Sequence, residues 1–275
     1  MRIALVQQEA GPNKRENVRR GLAALATAVE QGAKLVAFAE LAFERFYPQN
    51  RANTAAKNQA EPVPGPTTEA FAELARQLGV VVVLNLYEKA ASGHFDCSPV
   101  IDADGSFLGK THMLHVTDYP GFHEQDYYTP GETDVPVYDT AVGKLGVAIC
   151  YDRHYPEQMR ALASRGADLV IVPQAGTVGE WPDGLYEAEM RVAAFQNGYF
   201  VALCNRVGQE EKLNFAGESF VCSPEGEVLA RAPASKEVIL YADLDLAAAE
   251  RSHARRLFLR DRRPELYARW FALPE

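Results

Sequence analysis

No stretch of the 275-residue chain approaches the roughly 18 uninterrupted apolar residues a membrane-spanning helix needs, although 47% of it is hydrophobic. Basic residues are in deficit: 28 Lys and Arg stand against 37 Asp and Glu, a formal net charge of −9. That balance argues against a nucleic-acid or anionic-membrane partner, both of which want a basic surface. Cysteines number only four, Cys97, Cys150, Cys204 and Cys222, with no CxxC pair, and they read as free thiols of a reducing compartment. The opening MRIALVQQEAGPNK holds too short an apolar run for a secretory segment, so a cytoplasmic location is expected. A GxGxxG motif after the first strand is missing, which removes a dinucleotide-binding reading. Flexible linkers are missing too, so residues 1–275 are expected to form one domain with a sizeable core.

What is present is an alternation of short apolar runs and amphipathic segments. Arg2–Val6 and Lys34–Ala39 read as strands, separated by a helix that Asn13 and Glu16 would cap and that Gly32 punctuates. EPVPGPTT reads as loop, Thr67 or Thr68 as the cap of a second helix closed by Gly79, and 80–87 as one continuous strand. Two segments echo each other without gaps, SPVIDADGSFLGK (98–110) and SFVCSPEGEVLAR (219–231), each a strand–turn–strand unit. The echo predicts two similar halves. Between them, 145–150, 168–173 and 199–205 read as strands, with helices over about 156–165 and 185–197. The class is α/β, a layered domain with mixed sheets.

Cys150 ends an apolar strand and is followed by YDRHYPE, so its sulfur projects where the amides of the next turn can stabilise negative charge. By position alone a cysteine on an apolar strand is more often structural, and Cys97, Cys204 and Cys222 keep that reading. Its companions change the weighing. Glu40 stands at the carboxyl end of the second strand, where α/β sheets place their sites, and Lys110 follows the first hairpin. His112, His115 and His123 lie close in sequence, but their spacing is a weak metal signal, and neither a metal nor a cofactor is expected. His123 beside Glu124 reads better as a hydrogen-bonding partner of the substrate or the site. His94 and His253 carry no functional signal.

AELAFERFYP, GKTHMLH and GVAICYDRHYPE, in that order, resemble the motifs of the nitrilase, or carbon–nitrogen hydrolase, superfamily. The resemblance continues through GADLVIVPQ, CNRVG and RRPELY. It implies a four-layer α-β-β-α sandwich with two mixed sheets, and a catalytic set of Glu40 as general base, Cys150 as nucleophile and Lys110, with the Tyr151 backbone N–H, as oxyanion holder. Glu124, in GFHEQDYYTPG, fits the second glutamate that often completes such sites. Arg153, expected at the cleft rim, has a planar fork suited to a carboxylate and is similar to the arginine of enzymes that hydrolyse N-carbamoyl amino acids. The expected reaction is therefore hydrolysis of an N-carbamoyl amino acid, such as N-carbamoyl-β-alanine, through a thioester. The rivals are an ω-amidase or aliphatic amidase, an N-carbamoylputrescine amidase, and a catalytically silent binding or assembly protein. The resemblance also implies a homodimer or larger homo-oligomer, with the tail 250–275, basic yet carrying Leu257, Phe258, Tyr267 and Trp270, at the subunit interface.

Overall fold

The computed structural model describes residues 1–132 and 134–272; the end of the expected interface tail, 273–275, lies outside the described residues. The chain opens as its apolar spacing predicts, with strand β1 (Arg2–Gln7), helix α1 (Lys14–Glu30) and strand β2 (Leu35–Phe38). The Asn13 side chain caps α1 by accepting from the Glu16 amide at 3.2 Å. Glu16 does not reach back as a capping box would, because its carboxylate pairs with Arg19. After a one-turn helix, α2 (Thr54–Lys57), comes α3 (Pro66–Leu78), whose cap is Gly65 and not Thr67 or Thr68. Pro66 moves the start forward, since its fixed φ and missing N–H suit the first helical turn. The Thr67 hydroxyl donates to Glu61 instead, at 2.7 Å.

The run 80–87 is not one strand but parts of two, β3 (Val81–Val83) and β4 (Leu86–Ala90). Asn85 breaks it: its buried amide accepts from the Leu41 N–H at 2.8 Å and donates to Asp96 and to Ser98. A buried amide takes the backbone conformation that satisfies it, whatever the β propensity of its neighbours. Strands β5 (Gly93–Ile101) and β6 (Phe107–His112) form the first expected hairpin, followed by a short ribbon, β7 (Asp118–Tyr119) with β8 (Phe122–His123).

The second half runs β9 (Val137–Thr140), β10 (Gly143–Val147), α4 (Pro156–Ser164), β11 (Leu169–Gln174), α5 (Leu185–Asn197) and β12 (Phe200–Asn205). A small ribbon, β13 (Val207–Gln209) with β14 (Asn214–Ala216), precedes the second hairpin, β15 (Phe220–Cys222) with β16 (Val228–Arg231). Strand β17 (Val238–Asp243) then returns to pair with β1, and the tail is helical, with α6 (Ala247–Arg251) and α7 (Pro264–Trp270).

One sheet has the order β17-β1-β2-β3-β5-β4, with β6 also on β5; the other has the order β16-β15-β12-β11-β10-β9. Followed outward from β17, the pairings to β1, β2, β3, β5 and β6 are antiparallel, parallel, parallel, antiparallel and antiparallel. The second sheet repeats that series from β9 through β10, β11, β12, β15 and β16. Even the irregularities correspond: each hairpin shifts register once, at Val100/Ile101 and at Val221/Cys222, which are aligned positions of the two echoed segments. Strands β1 and β2 pack on β11 and β12, α1 and α3 pack together over the first sheet, and α4 and α5 over the second. The layers are α-β-β-α. Between the sheets lies a core that includes Leu5, Val147, Ile171 and Val221, and it fixes the strand ends that carry the site.

Candidate active site

Cys150 follows β10 at the start of a 3-10 turn, Cys150–His154, and takes the left-handed region with φ +42°. Such a backbone is held at about 1–3 kcal/mol by its surroundings and aims the side chain off the strand axis. Asp152 supplies part of that hold, its buried carboxylate accepting from the amides of Leu114 (3.1 Å) and His115 (2.9 Å) and from the His115 ring (2.8 Å). The Asp152 amide closes the turn on Ile149, so the Cys150 and Tyr151 amides open it, the positions whose N–H groups have no partner within a helical turn.

Glu40 lies just beyond β2 and is fully buried, with Leu41 after it also left-handed at φ +43°. Arg206, itself buried, donates to the carbonyls of Glu40 and Glu44, each at 3.0 Å, and to that of Leu41, so one guanidinium holds the whole segment behind Glu40. Among the described residues the Glu40 carboxyl oxygens have no fixed donor; they face the Cys150 thiol, Asp96 and Glu124. Glu124 is fully buried in a 3-10 turn, Glu124–Asp126, and accepts weakly from the Thr117 amide at 3.4 Å.

Electrostatics bind these groups into one unit. Burial pushes the Glu40 carboxyl well above the usual carboxylate range; Asp96 and Glu124 push it further, and the Cys150 thiol opposes them. Glu124 is raised by burial and then by Asp96. The Cys150 thiol is raised by burial and by the Glu40 charge, and is drawn down by Arg153 and by the Ala175 amide. A protonated thiol beside a carboxyl of raised proton affinity is the arrangement in which the carboxylate takes the thiol proton as sulfur attacks.

The family profile described as carbon–nitrogen hydrolase matches residues 2–254. The chain belongs to that family. It is similar to the N-carbamoylputrescine amidase of Solanum lycopersicum, at 34% identity over 96% of this chain and 93% of that one. Among solved structures, the carbon–nitrogen hydrolase of Helicobacter pylori G27 superposes with a TM-score of 0.92 at 31% identity, over 99% of this chain and 98% of the other. An amidase of Nesterenkonia sp. AN1, carrying acrylamide added at its active-site cysteine, superposes with a TM-score of 0.84 at 28% identity, over 98% and 100%. This carbon–nitrogen hydrolase is thus an enzyme of the kind that acts on amides, and its fold is the nitrilase-like one the motifs implied.

Lys110 corrects the reading made from sequence. On β6 it pairs with Pro99 of β5, and His112 pairs with Cys97, whereas Asp96 and Ser98 alternate to the opposite face of β5. The face of Lys110 gathers Glu88, Cys97 and His112, and the ammonium donates to Glu88 and to the Val63 carbonyl (3.0 Å). It is not among the main charges acting on Glu40, Glu124 or Cys150. The segment continuing from β6 toward the Cys150–His154 turn presents Met113, buried in the same core as Cys150. Strand period, not distance along the chain, removed the lysine from the site.

Arg153 is likewise not at a rim. It is 4% exposed, and its Nη1 donates to the Cys150 carbonyl and to Gln174, both at 2.9 Å. Its Nε stands 3.3 Å from Glu189, and its plane lies over the Tyr186 ring. Tyr151 is half-buried, edge-on to His154 with ring centroids 5.2 Å apart. The His123 ring is turned onto Asp118 at 2.8 Å, which also receives Arg51, and so is occupied on the outer side of the β7–β8 ribbon. His115 serves Asp152 and His112 serves Glu88. Sequence reading missed Asp96, Asn85, Asp152 and Arg206. The one signal available was Asn85 interrupting an otherwise apolar run, since a polar residue there asks for a buried partner.

Proposed function

We propose that Cys150 attacks the carbonyl carbon of a small N-carbamoyl or linear amide substrate while Glu40 accepts the thiol proton. Glu40 returns that proton to the departing nitrogen, leaving an acyl group on sulfur, and then activates the water that releases it. The Tyr151 N–H receives the developing oxyanion, and Glu124 holds the amide or water against Glu40. Lys110 has no step. The cation acting on the sulfur is Arg153, whose charge draws the thiol down and whose guanidinium holds the Cys150 carbonyl.

For the non-reacting end of the substrate, the observation that carries most is that Arg153 is engaged within the protein, on Gln174, the Cys150 carbonyl and Glu189, while two carboxylates, Glu189 and Glu180, stand in the same neighbourhood. Glu189 meets both Arg153 and His154, and Glu180 receives the hydroxyls of Tyr119 and Tyr186 and acts on Glu124. Such walls favour a cationic tail, an ammonium on a short chain, over a carboxylate. A second reading, an N-carbamoyl amino acid held by Arg153, keeps one observation in its favour: Nη2 is buried without a hydrogen-bond partner among the described residues. Ammonia release separates the two. We expect kcat/KM for N-carbamoylputrescine to exceed that for N-carbamoyl-β-alanine by about tenfold or more. The reverse order returns the substrate to the carboxylate class, and turnover of simple ω-amides alone removes both.

The proposal includes a homo-oligomer built on the α5 face. Val192 and Phe195 are exposed there beside Leu257 and Phe258, the Phe195 and Phe258 rings lying 5.5 Å apart. Sedimentation velocity should find a dimer or larger for the wild type and a shift toward monomer for Phe195→Asp; a monomeric wild type at micromolar concentration rejects this part.

A further inference from the structure

Three buried carboxyls meet in this site, and the mechanism above uses only two. The third, Asp96, sits in the middle of β5 with its side chain on the face opposite Cys97, and it is 1% exposed. Its Oδ1 accepts from Asn85; among the described residues its buried Oδ2 has no donor, and neither oxygen of the facing Glu40 has one. Asn85 joins the two residues physically, since its other amide atom accepts from Leu41, the neighbour of Glu40, at 2.8 Å. Ser98 fixes Asn85 from below at 3.1 Å. Two buried carboxyls facing each other, each with unsatisfied oxygens, are at rest only when one of them carries a proton.

We propose that Asp96 shares a proton with Glu40, and that this sharing sets the pH at which Glu40 becomes free to act as the base. When Asp96 holds the proton, Glu40 is ionised and can receive the thiol proton; when Glu40 holds it, the thiol has no acceptor. Moving the proton between the two carboxyls leaves the charge of the pair unchanged; pH acts by removing the shared proton to solvent, and the Asp96 charge holds that step to higher pH. The surroundings fit. Glu40 is faced by Asp96 from β5, by Glu124 from its 3-10 turn and by Cys150 from the nucleophile's turn. Asp96 is also acted on by the more distant Asp152 and Glu44, and the buried Tyr128 hydroxyl feels both members of the pair. The cations nearby are directed elsewhere: Arg206 onto the backbone behind Glu40, and Arg153 onto the Cys150 carbonyl. Burial pushes Asp96 up to about 7, with the Asn85 bond opposing, and pushes the Glu40 carboxyl well above the usual carboxylate range, so the pair titrates as a unit. Asp96 is a positioning residue. It touches the base and not the substrate.

The inference rests on the reading of Cys150 as nucleophile and Glu40 as base, and the test separates the two. The probe is iodoacetamide, with the adduct at Cys150 followed by mass spectrometry against pH, so that no substrate need be known. In Asp96→Asn the new side chain keeps the Asn85 bond through its oxygen and offers Glu40 an N–H donor. The acid-side midpoint of alkylation should then fall by about one pH unit or more, while the plateau rate changes less than about threefold. A folded Asp96→Asn protein with an unmoved midpoint overturns the proposal and leaves the nucleophile reading intact. A wild type whose Cys150 does not alkylate overturns both. Should Asp96→Asn fail to fold, the wild type serves alone. Its infrared spectrum near neutral pH must contain the C=O stretch of a protonated carboxyl, and a spectrum with only ionised carboxylates there leaves no proton to share.

Discussion

Cys150→Ala is expected to lower kcat/KM for any amide substrate by at least about 10⁴-fold, because the acyl–enzyme bond has no other atom to form on. The remaining thiols cannot substitute. Cys97, Cys204 and Cys222 are free and buried: Cys97 lies on the far face of β5 beside Glu88, Cys204 points at the carbonyls of Val6 and Ala37 at 3.5 Å, and Cys222 lies in the second core. The fold should survive, since the change removes one sulfur from a site held by Asp152 and the Ile149–Asp152 turn. The check is twofold: ammonia release measured against wild type, and intact mass after iodoacetamide, in which the alanine variant should take up one label fewer. Retained turnover in this variant removes Cys150 from the mechanism.

Glu40→Gln should be the second most damaging change, at about 10³-fold in kcat/KM, because the thiol proton is raised by burial and by the neighbouring carboxylate and needs an acceptor in place. Its contrast is Lys110→Met, which should leave kcat/KM within about threefold. What that lysine variant loses is stability. Glu88 is 2% exposed and keeps His112, but it gives up its charge-assisted bond to the ammonium, a loss of about 1–3 kcal/mol that thermal unfolding would register. A collapse of kcat/KM in a folded Lys110→Met protein would return the lysine to the oxyanion role that its motif suggested. The two variants together test whether the site is defined by the motif or by the face of the strand.

The repeat was legible because each hairpin carries its own turn chemistry: Asp104-Gly105 and Glu225-Gly226 mark tight turns on local grounds, with both glycines at positive φ. Glu40 and Cys150 were legible for a related reason, each being the first chemically active residue after an apolar strand. Asn85 and Asp96 were not. Each is a single polar residue within an apolar neighbourhood, and only the approach of β5 to the end of β2 shows that they answer each other. Arg206 lies within CNRVG, but its role is not legible there, since its three carbonyl partners at 40, 41 and 44 lie far away in sequence.

By itself, the sequence determined the class of this protein: an α/β chain of two echoed halves, acidic overall, with a glutamate and a cysteine at strand ends in the order of the carbon–nitrogen hydrolases. Those features depend on local pattern and on order along the chain, which a sequence states directly. Tertiary structure decided which side chains share the site. The alternation of β5 and β6 sent Lys110 outward and Asp96 inward, and packing drew Arg153 inside against Gln174 and Glu189. Facing and burial arise only when strands pair and layers close, and in a strand a single residue of register reverses them.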